Sequence, residues 1–134
     1  MTAAAQRLLV VDDDPVARLV LTRILTRLGH PTFTAATVAG GVDLAVRARP
    51  DVVFSDFGLP DGTGDDLLAA VRLCGLDVPV VLVTGVAGLE QTRARTASGL
   101  PTGLHALAAT LLKPLDTRAV SACLAQVLEP AAAR

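Results

Sequence analysis

Hydrophobic residues in this chain occur in short runs, separated by longer segments in which they recur every three or four positions. Short apolar runs bounded by Gly, Pro or Asp are typical of buried strands, whereas the longer spacing is typical of amphipathic helices. A weak alternation around Phe33 and Ala35 fits a strand at a sheet edge. We therefore predict five strands: Leu8–Val11, Thr32–Thr37, Val52–Phe54, Val80–Val83 and Thr110–Leu112.

Five segments with helical spacing lie between and after these strands. The first opens on a helix-start signature, because Asp14 can cap the helix and Pro15 suits its first position. Gly29 is a natural stop for this helix. Residues 98–109 receive no element. The predicted helices are Pro15–Leu28, Val38–Ala48, Gly64–Cys74, Leu89–Ala97 and Thr117–Leu128.

The same spacing predicts which helical side chains face the core. In the first helix these are Ala17, Val20, Leu21, Ile24 and Leu28. In the third and last helices they are Leu67, Leu68, Val71, Leu76, Val120, Cys123, Leu124 and Val127. Cys74 and Cys123 fit no metal or redox spacing, so we expect two reduced thiols in the core.

Strands and helices alternate five times, which predicts an α/β fold with a parallel sheet covered by helices on both faces. Right-handed crossovers leave few topologies, and the five-stranded order 2-1-3-4-5 is a common one. The length suits one domain over residues 1–134, with a structured core of about 7–129. In this order the first and third strands flank the point where ligands bind in open α/β sheets.

Acidic residues stand at the ends of both of those strands. Asp12 and Asp13 follow the first strand, and Asp56 ends the third. The Leu-Pro-Asp-Gly-Thr-Gly sequence that follows predicts a loop after Asp56. The fourth strand ends at Thr84 and the fifth at Lys113, so the topology brings all of these residues to one edge of the sheet.

The amino-acid composition excludes several classes of function. The net charge is −1 and there is no basic run, so nucleic-acid binding has no support. No apolar string is long enough for a membrane span or a signal peptide, which places the protein in the cytoplasm. Eleven of the twelve cationic side chains are Arg, and Lys113 is the exception. A compact ammonium can enter a narrow site that a planar guanidinium cannot. His30 and His105 lie away from the predicted edge, and we interpret both as non-catalytic.

Three carboxylates at one edge repel one another unless a cation lies among them. Asp oxygens in a partly exposed site suit Mg²⁺. A hydroxyl from Thr84 and the charge of Lys113 complete a site for a tetrahedral dianion and for phosphoryl transfer. Asp56 is the best candidate nucleophile, which would form an aspartyl phosphate.

Four motifs, in order, resemble the receiver domain of two-component response regulators over essentially the whole chain. They are Leu-Val-Val-Asp-Asp-Asp-Pro, Ser-Asp-Phe-Gly-Leu-Pro-Asp-Gly, Val-Leu-Val-Thr-Gly and Leu-Leu-Lys-Pro-Leu. The resemblance implies a flavodoxin-like (βα)5 fold in which Asp56 accepts a phosphoryl group from a phosphohistidine of a histidine kinase or histidine phosphotransferase.

By the same resemblance, Mg²⁺ is bound by Asp13, Asp56 and the backbone carbonyl of Gly58, while Asp12 acts mainly through water. Lys113 pairs with phosphoryl oxygens and Thr84 hydrogen-bonds to one. The implied protein is a regulatory phosphoacceptor rather than an enzyme. It is a monomer or weak dimer that switches protein binding without an output domain.

The sequence departs from the family in one place that affects switching. Receivers usually carry an aromatic residue three positions before the Lys, where this chain has Thr110, and the segment from Thr84 to Lys113 is longer than usual. Leu100, Leu104, Leu107 and Leu115 could line a partner surface there, although core packing is the simpler use.

Other interpretations remain open. The acids after the first strand could cap a helix, and Asp56 could open a turn. A pseudo-receiver would bind partners without phosphorylation. An aspartate-nucleophile phosphatase usually has the motif Asp-x-Asp. Here Gly58 occupies the position of the second Asp, and glycine cannot protonate a leaving group.

Overall fold

The computed structural model describes residues 5–85 and 107–128. Its helices are α1 (Pro15–Arg27), α2 (Val38–Ala48), α3 (Gly64–Leu73) and α4 (Thr117–Val127). Its strands are β1 (Leu8–Val11), β2 (Thr32–Ala35), β3 (Val52–Asp56), β4 (Gly58–Leu59), β5 (Gly62–Thr63), β6 (Val80–Thr84) and β7 (Ala109–Leu112). The helix predicted at 89–97 lies outside the described residues.

Five of these strands form one parallel sheet in the order β2-β1-β3-β6-β7. Counting only the strands of this sheet, the order is 2-1-3-4-5, as predicted. All five strands of this sheet run in the same direction. The residues that follow the strands therefore gather along one edge.

The core has two halves, one on each face of the sheet. On one face, Leu8, Phe54 and Val81 pack with Leu21 and Leu25 of α1 and with Val120 and Leu124 of α4. On the other, Leu9, Val11 and Val53 pack with Leu67 and Val71 of α3 and Ala45 of α2. Burial of these apolar side chains is the main force that holds the layers together.

Three expectations about local structure were wrong. The segment after Asp56 is an antiparallel hairpin of β4 and β5 rather than an irregular loop. Val20 is exposed, because Leu21 and Leu25 are the α1 side chains that reach the sheet. Cys74 is exposed just beyond α3, whereas Cys123 is buried as expected.

Local signals explain why the helices begin where they do. Asp14 caps α1 by accepting from Val16 N–H, and Pro15 follows at the first position. Leu107 and Leu115 pack against the core, which supports the simpler of their two predicted uses. Leu100 and Leu104 lie outside the described residues. Within 5–85 and 107–128, no helix is long and apolar enough to cross a membrane.

Candidate functional site

The segment after β1 holds the first two acids in different surroundings. Asp12 is only 5% exposed, and its N–H continues the sheet by donating to Ala35 O. Its Oδ1 accepts from Asp14 N–H at 2.9 Å, and its carbonyl accepts from Arg18 Nη1 at 2.7 Å. Asp13 is exposed. Asp12 is therefore held in place by the fold, whereas Asp13 presents its carboxylate to solvent.

Asp56 is the last residue of β3, next to β1, so its carboxylate meets those of Asp12 and Asp13. One oxygen from each of the three lies within 4.8 Å of the others. The backbone at Asp56 is tightly enclosed, since a Cβ on Gly64 would lie 2.9 Å from Asp56 O. The hydroxyl of Ser55 also donates to that oxygen, at 2.9 Å. These contacts set the direction in which the carboxylate leaves the strand.

Lys113 reaches the same place from β7. Its Nζ lies 3.2 Å from Asp12 Oδ2 and 3.5 Å from Asp56 Oδ1. Its N–H donates to Thr84 O at 2.8 Å, which fixes the stem, and a cis peptide bond joins it to Pro114. Lys113 is thus placed between two carboxylates that come from two other strands.

Thr84 and Gly58 complete the set of predicted site residues. Thr84 ends β6 and is buried, one residue beyond Val83, which pairs with Asp56. Gly58 is exposed at the start of β4, two residues after Asp56, and a Cβ there would meet no atom within 4 Å. All six predicted site residues therefore belong to the carboxyl edge of the sheet or the hairpin beside it. His30 lies at the opposite edge and accepts from Gln6 N–H, and His105 is outside the described residues.

The electrostatics show a site that is short of positive charge. Burial raises the pKa of Asp56, the neighbouring Asp12 raises it further, and Lys113 only partly opposes this. The two carboxylates in turn outweigh the effect of burial on Lys113 and raise its pKa. Within residues 5–85 and 107–128, three carboxylates meet with one ammonium in contact with two of them, while the Arg18 guanidinium donates to the Asp12 backbone carbonyl. Mg²⁺ fits this donor set, because it takes carboxylate oxygens and keeps several waters, for which the exposed side at Asp13 leaves room.

An apolar cavity of about 180 Å³ adjoins the charged groups. Asp12 and Lys113 form its polar end. The remaining lining side chains are apolar: Ala17, Val20, Leu21, Val83, Pro114 and Leu115. The charged site therefore lies next to an apolar surface of α1, and a molecule that approaches the site would contact this surface.

Two further contributors were not predicted. Arg18 is one helical turn after Asp14, and that spacing could have suggested that its side chain returns toward the end of β1. Gly64 was predicted only as a helix start. Its close approach to Asp56 O and to Leu82 depends on how α3 packs against the sheet, which no local pattern records.

Comparison with known proteins gives a consistent result. The family model for the response regulator receiver domain matches residues 8–124. The chain is 27% identical over 85 residues to sporulation initiation phosphotransferase F of Bacillus subtilis, an alignment that covers 63% of this chain and 68% of that protein. It is 41% identical over 76 residues to the transcriptional regulatory protein KdpE of Mycobacterium tuberculosis, covering 57% of this chain but 33% of that longer protein.

Solved structures agree with the fold. The chemotaxis response regulator CheY4 of Vibrio cholerae superposes with a TM-score of 0.80 at 26% identity. The match covers 93% of this chain and 100% of that one.

Proposed function

Because the chain belongs to the response regulator receiver domain family, we propose that it accepts a phosphoryl group on Asp56 in a two-component or phosphorelay pathway. The donor is a phosphohistidine of a histidine kinase or histidine phosphotransferase. One observation carries the proposal: Asp56 lies among two further carboxylates and the ammonium of Lys113 at the carboxyl edge of the sheet. We take residues 1–134 as one receiver domain that acts as a regulatory phosphoacceptor.

We propose a role for each site residue, and the grouping of Asp12, Asp13, Asp56 and Lys113 supports these roles. Asp13, Asp56 and the Gly58 carbonyl would hold Mg²⁺, with Asp12 acting through water. When bound, the ion neutralises charge on the phosphoryl oxygens. An oxygen of Asp56 forms the new O–P bond as the P–N bond of the donor breaks, and the electron pair returns to the imidazole. Lys113 and Thr84 bind the oxygens of the transferred group.

The surface next to the site supports a protein as the donor. Val16, Leu19 and Val20 are exposed on α1, with Val16 at 67% and Leu19 at 51%. Val20 also lines the apolar cavity that ends at Asp12 and Lys113. Apolar side chains in water next to a charged site are typical of an interaction surface. A protein that covers α1 would bring its phosphohistidine to Asp56.

The test is phosphorylation by a small phosphodonor. We expect the wild-type protein to gain one phosphoryl group when incubated with Mg²⁺ and acetyl phosphate or phosphoramidate, as measured by intact mass. Asp56→Asn should gain none. The matched control is Asp51→Asn, which removes an acid from the opposite end of the same strand and should leave phosphorylation unchanged.

A second candidate, the pseudo-receiver, is favoured by Thr110. This residue pairs with Leu82 in the sheet and takes the position of the usual aromatic switch side chain. A wild-type protein that stays unmodified with both donors, although it remains folded, would favour this alternative. Sustained release of phosphate from a phosphomonoester would instead revive the phosphatase interpretation.

A further inference from the structure

The hairpin that follows Asp56 is tied to α2 through one side chain. Asp61, at the tip between β4 and β5, accepts from Val38 N–H at 2.7 Å and from Ala39 N–H at 3.0 Å. These are the first two residues of α2. The first N–H groups of a helix have no partner within the helix and attract negative charge, so a carboxylate suits them. These two hydrogen bonds lower the pKa of Asp61.

The two hydrogen bonds of Asp61 are not required to cap α2. Helix α2 already has its own cap, since Thr37 Oγ1 accepts from Gly40 N–H at 3.0 Å. Asp61 comes from more than twenty residues along the chain, and its bonds join two separate segments. The contact therefore also fixes the hairpin.

The other end of the hairpin is held by α3. Thr63 and Asp66 form a capping box, in which Asp66 Oδ2 accepts from Thr63 N–H at 2.9 Å. Between the two anchors the chain is closely packed, because a Cβ on Gly62 would lie 2.8 Å from Asp66 Oδ2 and 3.2 Å from Val38 Cγ2. The hairpin thus lies between the N-termini of α2 and α3. Removal of Asp61 would free one of its two anchors.

Gly58 is the residue whose position depends on this arrangement. It begins β4, pairs with Thr63, and precedes Asp61 by three residues. No side chain of its own holds it, and it is exposed. The direction of its carbonyl is therefore set by the hairpin, and the hairpin is set by its contacts with the two helices.

We propose that Asp61 is a positioning residue, which holds the hairpin against α2 so that the Gly58 carbonyl faces the divalent cation. This inference rests on the proposed function, in which that carbonyl is a ligand. Groups that orient metal ligands commonly change metal affinity by about tenfold or more when removed. The coupling is reciprocal, so cation binding should strengthen the contact between Asp61 and α2.

The experiment compares Asp61→Ala with Thr37→Ala. Both variants remove hydrogen bonds from the N-terminus of α2, but only the first releases the hairpin. Isothermal titration calorimetry with Mg²⁺ as the only ligand should give a dissociation constant for Asp61→Ala that is about tenfold higher than the wild-type value. For Thr37→Ala it should stay within about twofold of the wild-type value, because an ordinary cap acts on the helix alone.

A second measurement follows the coupling directly. In spectra of the ¹⁵N-labelled wild-type protein, Mg²⁺ should shift the amide resonances of Val38 and Ala39, and Asp61→Ala should abolish that response. If Asp61→Ala does not fold, Asp61→Asn keeps one carbonyl acceptor and should show an intermediate dissociation constant.

The outcomes separate the two proposals. Equal effects of Asp61→Ala and Thr37→Ala, or no change in either, would overturn the positioning role while leaving the phosphoacceptor function in place. A wild-type protein that binds no Mg²⁺ and accepts no phosphoryl group would overturn both.

Discussion

The neighbouring strands β1 and β3 have charged residues at both ends, and the two ends differ in how the charges are arranged. At the amino ends, Arg7 and Asp51 directly precede the paired residues Leu8 and Val52. Arg7 N–H donates to Asp51 Oδ2 at 2.7 Å, and Asp51 N–H donates to Arg7 O at 2.6 Å. The Asp51 carboxylate thus accepts a backbone N–H of the neighbouring strand, while the Arg7 guanidinium donates to Arg49 O.

At the carboxyl ends of the same strands, like charges meet. Asp12 and Asp56 follow the paired residues Val11 and Ser55, with side chains only 7% and 19% exposed. Like charges opposite each other on adjacent strands are destabilising, and withdrawal from water increases the cost. Lys113 compensates for part of it from β7. An acid at a strand end is thus structural when its carboxylate accepts a backbone N–H of the neighbouring strand, and it marks a candidate site when several acids gather around one ammonium.

Apart from loss of the Asp56 acceptor itself, the largest effect should come from removing that cation. Lys113→Met leaves the carboxylates of Asp12 and Asp56 without an ammonium and removes a charged donor for the phosphoryl oxygens. We expect the rate constant for phosphorylation by acetyl phosphate to fall about a hundredfold, as for the loss of one electrostatic donor in a catalytic site. Stopped reactions analysed by intact mass measure this rate.

Arg7→Met is the control at the opposite edge. It removes a cation whose guanidinium donates to Arg49 O, far from Asp56, and the phosphorylation rate should not change. If both variants slow the reaction equally, general charge would matter more than the placement of Lys113.

A divalent cation should stabilise the folded protein through the acids at the carboxyl edge of the sheet. At roughly thirty times its dissociation constant, Mg²⁺ should raise the free energy of unfolding by about 2 kcal/mol, because it binds the folded protein only. Thermal denaturation with and without Mg²⁺ measures this gain, which Asp13→Asn should largely remove. Asp14→Asn provides the control, since Asn caps a helix as well as Asp does and the gain should persist.

The fold was largely predictable because the determining signals are local. The apolar run at Val80–Val83 and the helix start at Asp14 and Pro15 locate β6 and α1 without reference to the rest of the chain. Val20 was misplaced because apolar residues lie on more than one side of α1, so the pattern left open which side packs on the sheet. The β4–β5 hairpin was missed because strands of two residues are too short to show an alternation.

The candidate site was predictable as a set of residues but not as a geometry. Strand order alone brings Asp12, Asp56 and Lys113 to one edge. That Lys113 lies between the two carboxylates depends on its hydrogen bond to Thr84 and on the packing of β7, which are tertiary features. The link from Asp61 to α2 is likewise invisible in the sequence, since it joins segments by a contact that neither segment encodes alone.

The smallest effect separates the two ends of β3 by the sign of a stability change. In the presence of a chelator, Asp56→Asn should raise the free energy of unfolding at neutral pH by on the order of 1 kcal/mol, since it removes a partly buried charge beside Asp12. Asp51→Asn should lower it slightly, because it weakens the hydrogen bond that the Asp51 side chain accepts from Arg7 N–H. Urea denaturation between pH 3 and 8 measures both differences.

The pH dependence gives the sharper result. The pKa of Asp56 is raised in the folded protein above the ordinary value of 3.8, so the native state holds this proton more tightly than the unfolded chain. The stabilisation that the proton provides is complete below 3.8 and is lost as the pH rises through the folded-state pKa. The advantage of Asp56→Asn should therefore be full above that pKa and disappear below 3.8. If the difference in free energy of unfolding between Asp56→Asn and the wild-type protein did not change with pH, the charge of Asp56 would not destabilise the metal-free fold. The contrast between the two ends of β3 would then be lost.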